Sequence, residues 1–155
     1  MTVVPQQRAG VVAVGVDGSA SSAAALRWAA QQARATGASL LAITSWHYPN
    51  AYGYEGALDD GDWRPDQDAA QIQAHALAGA ADVLDGIAVE TLVTEGQAAV
   101  VLVDASKKVD LLVVGSRGHG QLTGVLLGSV SEFCAAHSEC PVVIVHEHHV
   151  SARGA

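Results

Sequence analysis

At 155 residues the chain has the length of one folded unit, since domains run to roughly 100–200 residues and a division would leave two undersized cores. Half of its residues are apolar and 15 % are charged, which excludes a disordered chain and supplies enough hydrophobic surface to bury a sheet between helical layers. A formal charge of −8, with only eight scattered Lys and Arg, excludes general attachment to nucleic acid or an anionic membrane, so an anionic ligand must be held by backbone amides, a helix end, a metal ion or one well-placed Arg.

The segment from Met1 to Gly10 carries one Arg and no apolar stretch of signal-peptide length, and no run approaches the ~18 apolar residues of a membrane span. The expectation is a cytoplasmic protein with flexible segments at 1–10 and 148–155 around one domain at 11–147. Val11 to Val16 (VVAVGV) is apolar, β-branched and too short for a helix, so it predicts a strand buried on both faces. A turn at Asp17–Ser19 follows. From Ser21 to Thr36, Leu26, Ala29, Ala30 and Ala33 recur at helical spacing and Gly37 stands where a left-handed cap belongs. Ser39 to Trp46 predicts a second strand. Asp66 to Leu84 predicts one long helix, with Pro65 before it, Gly86 after it, and a stripe of Ala69, Ile72, Ala76, Ala80 and Leu84. Ile87 to Thr94 predicts strand three, and Gln97 to Lys107 a helix with Ala98, Val101, Leu102 and Ala105 on one face. Leu111 to Val114 predicts strand four, Gly128 to His137 a short helix, and Pro141 to His146 strand five. Strand and helix alternate throughout, which implies a three-layer α/β/α sandwich with a five-stranded parallel sheet. In such sheets ligands bind beyond the carboxyl ends of the strands, here the turns after strands one, two and four.

His47 to Pro65 breaks the rhythm: it is long, acidic and rich in Gly and aromatic residues, with Trp46, Tyr48, Tyr52, Tyr54 and Trp63 in or beside it. Its two readings are a mobile linker and a lid or partner-binding loop. Cys134 and Cys140 read as small apolar fillers, and the run His146 to His149 as a solvated tail rather than a metal site, because adjacent residues rarely converge on one ion.

The sharpest signal lies between strand four and the short helix, where Gly115, Gly118 and Gly128–Ser129 give the spacing G-x2-G-x9-G-S, with Gly120 and Gly124 between. Glycines at a strand end let the main chain approach a ligand without a Cβ in the way. Gly128, Ser129, Val130 and Ser131 then open a helix whose amides and dipole form an anion site. Phosphate is the natural guest. Arg117 is the sole charged residue of the stretch, Ser129 and Ser131 offer hydroxyls, and His119 is either a phosphate contact or a solvated loop residue. The first turn, Gly15 to Ser19, lacks the G-x-G-x-x-G of a dinucleotide site, and the glycine loop lacks the Lys-Ser/Thr of a P-loop.

With these segments in place, the sequence resembles the universal stress protein family. The resemblance rests on VGV-Asp17-Gly-Ser19, the Ala-rich first helix around Trp28, Asp110 to Gly118, Leu127 to Ser131 and Cys140 to Val145. The glycine spacing is the signature of that family's ATP-binding branch, so the resemblance implies ATP, with Mg²⁺ carried by the nucleotide and no metal held by the protein alone. It implies a Rossmann-like fold of the adenine nucleotide alpha hydrolase type. By the same resemblance Gly15 and Asp17 border the nucleoside and the backbone near Thr44 meets adenine. Ribose and phosphates then fall to Gly115, Ser116, Arg117, Gly118, His119, Gly120, Gly128, Ser129, Val130 and Ser131. A homodimer through Pro141–His146 is implied too, as is a regulatory role in bacterial stress survival with slow or no ATP hydrolysis. Against a binding module stand two other classes: a nucleotide-hydrolysing or adenylating enzyme of the same fold, and a nucleotide-free interaction protein.

Overall fold

The structure is a computed structural model that describes residues 9–48, 62–118 and 127–147. Its elements run β1 (Val11–Gly15), α1 (Ala20–Thr36), β2 (Ser39–Trp46), α2 (Pro65–Gly79), α3 (Ala81–Leu84), β3 (Val89–Glu95), α4 (Ala98–Ser106), β4 (Leu111–Gly115), α5 (Ser129–His137) and β5 (Val142–Val145). The five strands form one parallel sheet in the order β3-β2-β1-β4-β5. The α/β architecture expected from the alternation is therefore the one found. Predicted segments 1–8, 49–61, 119–126 and 148–155 lie outside the described residues.

Local chemistry sets the element ends. Ser19 caps α1 by accepting a hydrogen bond from the Ser22 amide at 3.1 Å, and Gly37, at φ 68°, closes the helix by donating to the Ala33 carbonyl. The inner face of α1 is nearly all alanine, with Ala25, Ala29, Ala30 and Ala33 fully buried beside Leu26, so the helix lies close on the sheet. Val12, Val14, Leu40, Ala42 and Val113 meet it on that face, which α2 and α3 extend. On the opposite face Ala13, Ile43, Leu112 and Val114 pack against Leu102 of α4 and Cys134 of α5. Two cores thus flank a sheet buried at its centre on both sides, which is why β1, β2 and β4 read as continuous apolar runs.

The expected helix 66–84 is two helices. At Ala80 (φ −108°, ψ 12°) the amide reaches back to Leu77, and the chain restarts as α3. Gly79 lowers helix propensity at the break, and two arginines of α1 take up the exposed groups. Arg27 holds Asp82 at 2.7 Å, and Arg34 donates to the Val83 and Asp85 carbonyls at 3.0 and 2.6 Å. The stripe shifts as well: Ile72 is exposed, and Gln73 is the buried residue of that turn. Strand three starts at Val89 because Gly86, at φ 78°, and the Ile87–Leu84 hydrogen bond form a turn first.

Candidate functional site

The central pair β1 and β4 is the switch point of this sheet, since the chain runs outward from β1 through β2 to β3 and then crosses back to β4 and outward to β5 on the other side. A cavity of about 290 Å³ opens there, at the carboxyl ends of β1, β2 and β4 and under the first turns of α4 and α5. Strand side chains alternate between faces, so the face carrying Ala13, Ile43 and Val114 also carries Gly15 and Ser45. A Cβ on Gly15 would lie 3.1 Å from Leu102 Cδ1, so glycine lets α4 close the floor of the cavity.

The two leading glycines of the loop have different jobs. A Cβ on Gly115 would stand 2.7 Å from the backbone carbon of Ser21, on the α1 side of the sheet. Gly115 is therefore glycine because α1 packs on it. Gly118 lines the cavity, and a Cβ there would come within 3.0 Å of Asp17 Oδ2. Between them Ser116 is buried, its amide donating to the Val145 carbonyl and its own carbonyl accepting from the Gly128 amide at 2.7 Å. Ser131, also buried, donates its hydroxyl to the Ser116 and Gly128 carbonyls at 3.1 and 3.0 Å. Ser21 joins the same knot, accepting from the Arg117 amide at 3.3 Å. The loop leaves the sheet and re-enters at α5 through these serines.

Gly128 caps α5 with no side-chain hydrogen bond, and Glu132 is the first residue to bond back within the helix, to Gly128 at 3.0 Å. The amides ahead of it are the orphan donors of a helix N-terminus, and they border the cavity through Ser129, Val130 and Ser131. Arg117 and Asp17, both exposed, supply one formal charge of each sign to the lining. Asp17 also makes the turn expected of it: Oδ1 accepts from the Ser19 amide and hydroxyl. Ile43, Val101, Leu102 and Val114 make the greater part of the remaining side-chain lining apolar, with Ser22, Ser45 and His47 as its polar members. The cavity thus has an apolar end under β2 and α4 and an amide-rich end at the glycine loop and α5.

Of the residues singled out in the sequence, Gly15, Asp17, Gly115, Arg117, Gly118, Gly128, Ser129, Val130 and Ser131 meet around this cavity. His119 and Gly120 lie outside the described residues. Three of these residues have side chains held by partners within the fold. Ser131 borders the cavity, but its hydroxyl braces the loop, and Ser116 is buried in the same brace. The Thr44 side chain falls on the opposite face, where Gln73 of α2 donates to it at 3.2 Å and to the Ala42 and Leu92 carbonyls at 3.1 Å. Ile43, Ser45 and His47 reach the cavity from β2 instead, and Ala98, Val101 and Leu102 from α4.

The donor set fits a nucleotide better than a protein-held metal. Asp17 is the single carboxylate among the described lining residues, and no group of three or more His, Cys, Asp or Glu gathers among the described residues. The cysteines are free fillers: burial pushes the Cys134 thiol up to about 11, and burial also raises Cys140. No helix among the described residues is long and apolar enough to cross a membrane.

Comparison with known proteins agrees with this geometry. The model of the "Universal stress protein family" matches residues 10–146. Universal stress protein Rv2623 of Mycobacterium tuberculosis is 35 % identical over 147 residues, covering 94 % of this chain and 48 % of that protein. The chain spans about half the length of the curated relatives it matches. A universal stress protein crystallised in complex with cAMP shares 32 % identity and a TM-score of 0.64, over 90 % of this chain and 98 % of its own. The hypothetical protein MJ0577, at 20 % identity and a TM-score of 0.73 over 90 % of this chain and 97 % of its own, has the same fold.

Proposed function

The chain belongs to the universal stress protein family, and from that premise we propose that it binds an adenine nucleotide in the cavity between β1, β4 and α5, with ATP and its Mg²⁺ as the favoured ligand. The observation that carries the reading is the polarity of the cavity. Its β2/α4 end is a mainly apolar slot for a base, with Ser45 and His47 as its polar members, and its glycine-loop/α5 end offers uncapped amides and Arg117 for phosphate. The cAMP complex of a relative at 32 % identity supports the adenine class. Mg²⁺ would be held through phosphate oxygens with Asp17 beside it.

The role is regulatory rather than catalytic: nucleotide occupancy sets what the protein binds in the cytoplasm under stress. Supporting this, Asp17, the only carboxylate of the described lining, has Oδ1 engaged by the Ser19 amide and hydroxyl as a turn-former. Turnover should stay below about 1 per second, the bottom of the ordinary enzyme range. The same reading includes a homodimer through Pro141–His146, since β5 is an edge of the sheet.

The test is to extract nucleotide from freshly purified protein and separate it by chromatography. A stoichiometric adenine nucleotide is expected; protein that carries none and gives no calorimetric signal with ATP, ADP, AMP or cAMP would refute the reading.

A further inference from the structure

We propose that Trp46, Tyr48 and Trp63 form a docking surface for arginine side chains on an exposed segment of a partner protein. The surface lies on the face of the sheet away from the cavity, so the inference does not rest on the nucleotide reading.

Trp46 ends β2 on the Thr44 side of the sheet, because strand side chains alternate between faces. Its ring meets that of Tyr48 edge to face, with centroids 5.6 Å apart and planes at 88°, and Tyr48 meets Trp63 in the same way at 5.9 Å and 86°. Such pairs hold rings in place while covering little of them. Tyr48 remains 56 % exposed and Trp63 41 %, and both stand among the exposed large apolar residues of the chain. Trp63 is fixed further by its Nε1, which donates to Asp68 Oδ2 at 3.1 Å. Two exposed rings locked by a third and by a hydrogen bond lose little freedom when a partner covers them, which favours binding.

Charge selects the partner. Glu95 of β3 is the register partner of Trp46, so its side chain lies on the same face, and it makes no ion pair among the described residues. Asp68 already touches Trp63. Asp62 and Arg64 flank Trp63 in the chain, but Arg64 is paired with Asp66 at 3.6 Å. An apolar partner would strip water from these carboxylates and return nothing. A guanidinium can instead lie on a ring face and donate to a carboxylate at its edge, and its planar fork does both at once where an ammonium is a point charge. The formal charge of −8 favours the approach of such a cation.

The probe is an acetylated Gly-Arg-Gly-Arg-Gly peptide, titrated calorimetrically into the full chain beside the same peptide with neutral citrulline in place of arginine. Wild type should bind the arginine peptide and not the citrulline one. Tyr48→Ala and Trp63→Ala should each weaken binding about fivefold with unchanged circular dichroism, since both rings are exposed. Glu95→Gln should weaken it about twofold and reduce its dependence on salt. The inference is overturned if wild type does not bind the arginine peptide at millimolar concentration, or if the citrulline peptide binds equally well. It is overturned too if both ring variants bind like wild type, which would leave net charge alone as the attraction. Tetramethylammonium that displaced the peptide at a lower concentration than the peptide itself would assign the rings to a small ammonium ligand, and that result also contradicts the proposal.

Discussion

The two faces of the sheet end differently at its carboxyl edge. On the α1/α2 face the chain closes on itself: Ser21 fills the space beside Gly115 and its hydroxyl meets Ser116 and the Arg117 amide, while Gln73 covers Thr44. On the α4/α5 face the same strands stop short and leave a cavity of about 290 Å³. One glycine loop serves both, bracing the fold with Gly115 and Ser116 and bordering the cavity with Arg117 and Gly118. A motif residue can thus be required for reasons that have nothing to do with its ligand, and substitutions on the two faces should separate stability from binding.

The largest effect is expected at Gly115→Val. Its branched side chain would collide with the Ser21 backbone, costing about 3 kcal/mol and lowering the thermal midpoint by about 6–12 °C. Scanning calorimetry checks this, and an unshifted midpoint would undo the assignment of Gly115 to the brace. Gln73→Ala should cost about 2 kcal/mol through lost packing and three lost hydrogen bonds, yet leave ATP affinity within about twofold of wild type. A variant with normal stability and impaired binding would reverse the roles given to the two faces. Arg117→Ala should reverse the pattern, weakening ATP about tenfold with unfolding unchanged, and the remaining binding should depend less on salt. Titrations at two ionic strengths decide it. Ser129→Ala removes one exposed hydroxyl while keeping the helix-end amides, so its loss should be smaller, about fivefold.

Most of the fold was legible because each strand and helix carries its own punctuation: the apolar runs of β1 and β4, the Ser19 and Gly37 caps of α1, and the Pro that opens α2. The break at Ala80 was not, because it depends on Arg27 and Arg34 reaching across from α1 to groups some fifty residues later in the chain. The glycine loop announced the amide end of the cavity through spacing alone. The base end was harder. β2 is buried on both faces along most of its length, so its sequence shows no alternation from which to tell that Ser45, rather than Thr44, turns its side chain to the cavity. The Ser131 hydroxyl was illegible for a similar reason: near a helix start it looks the same in sequence whether it meets a ligand or bonds, as here, to two carbonyls of its own loop.

The most direct test of the account is a calorimetric titration of Mg-ATP into wild type and Gly118→Val side by side, with circular dichroism on both. Gly118 borders the cavity and, among the described residues, a Cβ there meets only the tip of the Asp17 side chain, so valine should leave the fold intact while obstructing the approach of the loop to phosphate. The account predicts one ATP per wild-type chain, at least about tenfold weaker binding by the variant, and superimposable spectra. A Gly118→Val chain that is folded and binds Mg-ATP as tightly as wild type would contradict it.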